Sequence, residues 1–66
     1  MKYLLTHSGL IAARAIDRLT PGTYHNVSPN GTRTPTVLYT VAYHSGGEAF
    51  ETRADAHQVA AFLEDA

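Results

Sequence analysis

Residues 34–63 read TPTVLYTVAYHSGGEAFETRADAHQVAAFL and hold most of the information about the architecture of this chain. A β-branched and aromatic run precedes Gly46-Gly47, and a shorter run after it ends at Phe50. Two such runs around a glycine pair predict a β-hairpin with a tight turn. The alanine-rich residues 53–64 then carry apolar side chains at helical spacing, which predicts a helix. The apolar face of this helix is expected to hold Ala56, Val59, Ala60 and Leu63.

The start of the helix is marked by Thr52-Arg53-Ala54-Asp55, which has the form of a capping box. In such a motif the hydroxyl of the first residue accepts from the first helical turn, and the acid three residues later reaches back. We therefore expect the preceding strand to end at Glu51 and the helix to begin at Arg53.

The glycine pair also predicts the register of the hairpin. If Gly46 and Gly47 are the two loop residues, Tyr43 lies opposite Phe50, and directly opposed residues share a face of the sheet. One face then collects the aromatic and β-branched side chains, which we expect to pack beneath the helices. Its members are Val37, Tyr39, Val41, Tyr43 and Phe50.

The N-terminal part of the chain predicts a second helix. Residues 10–19 carry apolar side chains spaced three and four apart, and Pro21-Gly22 then stops helical continuation. The apolar residues 2–6 precede it as either a short strand or a disordered lead-in. We expect them to be ordered, because their side chains are costly to leave in water.

A first hairpin is predicted between these regions. Residues 23–28 alternate weakly and are followed by Asn30-Gly31, a pair that strongly favours a two-residue hairpin loop. With that loop, Tyr24 falls opposite Val37 and joins the inward face.

Together these elements predict one α+β domain over residues 1–66, with the order α-β-β-β-α and, if residues 2–6 are ordered, an extra short N-terminal strand. The three-stranded antiparallel sheet is expected to be covered on one face by two helices. Its other face then stays uncovered and is weakly apolar, so we expect it to bind protein. The expected binding residues are His25, Val27, Leu38, Thr40, Ala42, His44, Ala49 and Glu51.

Composition narrows the functional classes. The chain has 66 residues, no cysteine and a formal net charge of −1. A domain of this size has a thin stability margin, so a partner that covers apolar surface would help it. The absence of cysteine favours a reducing, cytoplasmic setting. No run approaches the roughly 18 apolar residues of a membrane span.

Catalytic and metal signatures are weak. The four histidines, His7, His25, His44 and His57, have no zinc-type spacing. Ser8 follows His7 directly, and neighbours in sequence rarely point the same way. We therefore expect no metal, no cofactor and no enzymatic activity.

The predicted order of elements resembles the double-stranded RNA-binding domain over residues 9–63. The most specific part of this resemblance is Thr52-Arg53-Ala54-Asp55 and the following residues 56–61. That family holds phosphates with lysines at the start of this helix. Arg53 matches one such position, and Ala54 occupies the next.

The strand, cap and helix at the end are also similar to the three-stranded modules at the front of tyrosine integrases, which insert a sheet into a DNA groove. The reading face of those sheets carries arginine and lysine, where this chain has Leu38, Thr40 and Ala42. These resemblances imply an alternative function, binding of double-stranded nucleic acid with Arg33 and Arg53 as phosphate contacts.

Our main expectation is a non-enzymatic protein-binding module, a small regulator or inhibitor of a larger complex. A phage-encoded or mobile-element accessory protein fits the size and the absence of a catalytic site. Binding is expected through the uncovered sheet face or an edge strand, to a protein partner or to a second copy in a homodimer.

Overall fold

The computed structural model describes residues 2–65 and shows two antiparallel sheets and one helix. The first sheet pairs β1 with β2, and the second has the order β3-β4-β5. The elements in chain order are β1 (Tyr3–Thr6), β2 (Gly9–Ala12), a 3₁₀ turn (Ala13–Ala15), β3 (Ile16–Val27), β4 (Arg33–Ser45), β5 (Glu48–Asp55) and α1 (Ala56–Glu64). The predicted α-β-β-β-α order, with two helices over the sheet, is therefore wrong.

The predicted first helix is replaced by strands because residues 9–12 find a partner in β1. Leu4 pairs with Ile11, and both side chains are buried. The turn between the strands uses Gly9 at φ 110°, and the Thr6 hydroxyl donates to the Gly9 carbonyl oxygen at 2.8 Å. The spacing of the apolar residues in this segment suits a helix, but cross-strand pairing with β1 overrides it. The expectation of an ordered N-terminal strand is confirmed.

The second hairpin forms as predicted. Tyr43 pairs with Phe50, and Ser45 pairs with Glu48. Gly46 and Gly47 have φ values of 58° and 89°, the left-handed conformations that a two-residue hairpin loop of this kind requires at both positions.

The first hairpin differs from the prediction by one residue. Its loop spans residues 28–32, and Tyr24 pairs with Thr36 rather than Val37. A two-residue loop at Asn30-Gly31 would require an N–H donor at position 29, and Pro29 has none. The Ser28 N–H instead donates to the Thr32 carbonyl oxygen at 2.8 Å. A shift of one residue moves every side chain of β3 to the opposite face.

The helix begins three residues later than predicted. Ala54 is fully buried and pairs with Tyr39, so β5 continues to Asp55. The Asp55 carboxylate then caps α1 by accepting from the His57 N–H at 2.7 Å. Thr52 is not the cap, because it lies within β5, and its hydroxyl oxygen accepts from the Ser8 hydroxyl at 2.8 Å.

The core lies between the three-stranded sheet and a layer made of β1, β2 and α1. Its fully buried centre consists of Leu4, Val41, Ala54 and Val59. The partly buried side chains packed around this centre are Ile16, Leu19, Tyr39, Tyr43 and Phe62. On α1 the prediction is right for Val59, but Ala60 and Leu63 are exposed, and Phe62 packs against the core in their place.

The predicted inward face is confirmed at its middle and uncovered at its ends. Tyr39, Val41 and Tyr43 pack in the core. Val37 stays 45% exposed and Phe50 40% exposed, although the Phe50 ring stacks on Tyr43 with 5.5 Å between ring centroids. The covering layer is therefore shorter than the sheet that it covers.

A membrane span needs about 20 apolar residues in a helix. α1 has nine residues, and within residues 2–65 no helix combines the length and the apolarity that crossing a membrane needs.

Candidate functional site

The first candidate surface is the face of the three-stranded sheet opposite the core, here called the open face. Leu4 of β1 and Val59 of α1 pack with Val41 and Ala54 on the other side of the sheet. The register places on it Arg18, Thr20, Gly22, Tyr24, Asn26, Thr34, Thr36, Leu38, Thr40, Ala42, His44, Ala49, Glu51, Arg53 and Asp55. Six of the eight predicted binding residues are in this set: Leu38, Thr40, Ala42, His44, Ala49 and Glu51.

Two predicted members of the open face are misplaced. His25 pairs with Pro35 and Val27 pairs with Arg33, on the opposite side of the sheet, because of the shift in the first hairpin. The open face is also more charged than we expected. The same shift brings Arg18 onto it, and the longer β5 adds Arg53 and Asp55.

A contact between an arginine and a tyrosine ring that sequence reasoning missed lies on the open face. The Arg53 guanidinium carbon is 4.3 Å from the centroid of the Tyr24 ring, a cation–π contact. The ring lies over the backbone of Gly22, where an added Cβ would come within 3.3 Å of Tyr24 Cε2. A glycine in a strand followed two residues later by an aromatic residue is the signal that could have predicted it.

The two arginines proposed as phosphate contacts are not brought together. Arg53 pairs with Thr40, seven residues along β4 from Arg33, a separation of about 23 Å at 3.3 Å per residue. Seven is an odd number of residues, so the two side chains also project from opposite faces. They cannot hold one phosphate jointly.

A surface pair joins β3 to β4 at the other end of the open face. A β-bulge between Ile16 and Arg18 displaces Asp17, whose carboxylate contacts His44 Nδ1. Both side chains are about half exposed. Within residues 2–65 there is no cluster of three or more potential metal ligands around this pair or elsewhere.

The second candidate surface belongs to β1 and β2, here called the ribbon. Leu4 and Ile11 point into the core, whereas Tyr3, Leu5 and Leu10 form an outer ribbon face that is 50%, 47% and 67% exposed. Leu5 pairs directly with Leu10. Leu10 is the most exposed large hydrophobic residue of the described chain.

A groove runs between the outer ribbon face and α1. The helix lines it with Gln58, Ala61 and Phe62, and Asp65 follows at the end of the helix. Lys2 also lines the groove, with its Nζ 4.5 Å from the centroid of the Phe62 ring. The lining of the groove therefore combines apolar side chains with one cation and one anion.

The third candidate surface is an arm at the far end of the sheet. β5 ends opposite Leu38, so residues 23–27 and 33–37 continue as two strands alone, for about 17 Å at 3.4 Å per residue. The radius of gyration is 13.3 Å, compared with about 11 Å for a typical 66-residue domain. Residues 18–47 contain no aspartate or glutamate, which leaves the arm with the positive charge of Arg33.

The adjacent Ser8 and His7 both hydrogen-bond to β5. The Ser8 hydroxyl donates to Thr52, and the His7 N–H donates to the Arg53 carbonyl oxygen at 3.0 Å. Both bonds tie the turn of the ribbon to β5.

Comparison with known proteins found no matching family model, no matching curated protein and no matching solved structure. The function is therefore inferred from the three surfaces described above.

Proposed function

We propose that this chain is a non-enzymatic, cytoplasmic protein-binding module that binds through the outer ribbon face and the groove beside it. The observation that carries the proposal is the composition of the ribbon. Leu4 and Ile11 on one side and Leu5 and Leu10 on the other make both of its sides apolar, but the core covers only one. Strands that are apolar on both sides are typical of strands that are covered on both sides.

Energetics favour a partner on this surface. Fully burying a leucine side chain is worth about 1.5–3 kcal/mol. Leu10 is 67% exposed, so a partner that covers it would gain about 1–2 kcal/mol of binding free energy. The described chain has seven exposed large hydrophobic residues and five buried hydrophobic ones. A small domain with so little core has a thin stability margin, and a partner that binds only the folded state stabilises it.

The open face is the weaker candidate for protein binding. Arg18, Glu51 and Arg53 project from it, and the three threonines of β4 that lie on it are Thr34, Thr36 and Thr40. Desolvating such groups costs energy unless the partner supplies matched hydrogen bonds and charges. Regulation or inhibition of a larger complex remains our proposal for the biological role, with the outer ribbon face as the docking surface.

A matched pair of variants tests the proposal in the native host. We would compare proteins that co-purify with the affinity-tagged wild type, with Leu10→Glu and with Val27→Glu. Val27 is a suitable control because it is 64% exposed, lies in a strand and belongs to the arm. We expect a stoichiometric partner, another protein or a second copy of the chain, that is retained by Val27→Glu and lost from Leu10→Glu. A partner retained equally by both variants would exclude the outer ribbon face.

The arm supports a second candidate function, binding of duplex nucleic acid. A pair of antiparallel strands such as the arm fits the major groove. The arm carries Arg33, and no aspartate or glutamate is near Arg33 in the sequence. Arg53 has no part in this version, because it lies on the open face beside Tyr24. Duplex binding that weakens with salt and is lost in Arg33→Gln would support it. No binding at low salt would exclude it.

A further inference from the structure

We infer that the partner of the outer ribbon face is a second copy of this chain, with the two ribbons packed face to face about a two-fold axis. This inference rests on the proposed function and adds the identity of the partner. In such a dimer each ribbon lies between its own core and the other ribbon, so both of its apolar sides are buried.

The charge distribution of the surface is self-complementary. A two-fold interface brings the same patch of both copies together, so a patch of one charge sign would repel itself. The patch is lined by Leu5, Leu10 and Phe62 together with one cation, Lys2, and one anion, Asp65. The cation of one copy can therefore meet the anion of the other.

The exposed area matches what a dimer requires. The chain exposes 4734 Å², whereas a folded monomer of 7.1 kDa exposes about 4,100 Å². The excess of about 600 Å² is close to the roughly 800 Å² per partner that a standard interface covers. The outer ribbon face supplies three of the seven exposed large hydrophobic residues of the described chain: Tyr3, Leu5 and Leu10.

The edges of the main sheet are unsuited to pairing with a second copy. β3 is interrupted by Pro21 and by the bulge at Asp17. β5 carries charged side chains at half of its positions: Glu48, Glu51, Arg53 and Asp55. Prolines, bulges and charges on an edge strand are the features that prevent edge-to-edge pairing. Self-association is therefore directed to the ribbon.

Sedimentation velocity on the purified full chain, from about 1 μM to about 1 mM, tests the inference. We expect a concentration-dependent dimer for the wild type and for the Val27→Glu control. Leu10→Glu should weaken the dimer at least about 30-fold, because the substitution acts twice in a two-fold interface. Circular dichroism checks that each variant is folded, and Leu5→Gln replaces Leu10→Glu if the latter unfolds.

Cross-linking locates the interface independently. The chain has no cysteine, so Leu10→Cys and Val27→Cys each introduce a unique thiol. A short bis-maleimide should link two Leu10→Cys chains and leave Val27→Cys chains single. A wild type that is monomeric at every concentration would overturn the inference, as would a dimer unaffected by both ribbon variants. The first result would leave the proposed function standing if Leu10→Glu still lost a different protein in the native host.

Discussion

Leu4 and Leu5 are neighbours in one strand, but they should respond very differently to truncation. Leu4 is 1% exposed and belongs to the core, whereas Leu5 is 47% exposed on the outer ribbon face. Changing each to alanine removes the same atoms at adjacent positions. The pair therefore separates burial from every effect of composition or strand propensity.

The expected costs follow from the two environments. Truncating a fully buried leucine loses its transfer energy and leaves a cavity, and for Leu4→Ala we expect a loss of about 3 kcal/mol in unfolding free energy. Leu5→Ala leaves no cavity and removes a half-exposed side chain, so we expect about 1 kcal/mol or less in the monomer. A chain of 66 residues has a total stability of about 3–10 kcal/mol. Leu4→Ala can therefore bring it close to unfolding.

Urea titration followed by circular dichroism measures both costs. With an m-value of about 1 kcal/mol/M for so small a protein, the midpoint should fall by about 3 M for Leu4→Ala and by about 1 M or less for Leu5→Ala. A stabilising osmolyte such as TMAO extends the measurement if Leu4→Ala is unfolded without urea. Equal losses for the two variants at a concentration where the chain is monomeric would show that the orientation of the ribbon is wrong. A Leu5→Ala cost that grows with protein concentration is expected from the dimer.

Three further predictions concern single contacts. Asp55→Ala removes the cap of α1 and should cost about 1 kcal/mol in a thermal or urea melt, whereas Glu48→Ala, which changes an exposed acid at the start of β5, should change little; equal effects would contradict the assigned cap. Gly47 has φ 89°, so Gly47→Ala should cost about 1 kcal/mol or more through backbone strain, and a neutral result would contradict the geometry of the turn. Tyr24→Leu removes the cation–π contact and should cost about 0.5–1 kcal/mol of unfolding free energy in the wild type. The cost should be smaller in an Arg53→Gln background. A double-mutant cycle that shows no coupling between the two positions would exclude the contact.

The second hairpin could be predicted because its determinants are local. Gly46 and Gly47 tolerate positive φ at both loop positions, and that geometry sets the register of the flanking strands. The register predicts that Tyr39, Val41 and Tyr43 point inward, and all three pack in the core.

The rest required information that lies far away in the sequence. Residues 10–19 suit a helix by spacing, but Ile11 gains a cross-strand partner in Leu4, and tertiary pairing overrides a weak local preference. α1 begins later than predicted because Ala54 is buried in the core as part of β5. The shift of the first hairpin was within reach of the sequence, since Pro29 lacks the N–H that a two-residue loop would use.

The same contrast between local and distant determinants applies to the candidate site. Six of the eight residues expected on the open face follow from the well-determined hairpin and lie there. His25 and Val27 depended on the other hairpin and do not. The outer ribbon face does not follow from the sequence, because the spacing of residues 10–19 places Leu10 on a helix.

The ribbon is also the layer that closes the core, and this has a consequence for the motions of the whole chain. Two hydrogen bonds, from His7 to Arg53 and from Ser8 to Thr52, fasten its turn to β5, and packing by Leu4 holds the remainder. If the ribbon lifts as one cooperative unit, Val41 and Ala54 lose their cover together. A molecule that binds the outer ribbon face would then slow the exchange of backbone amide hydrogens in the core beneath the ribbon. Deuterium uptake at β4 would therefore report binding on the opposite side of the ribbon.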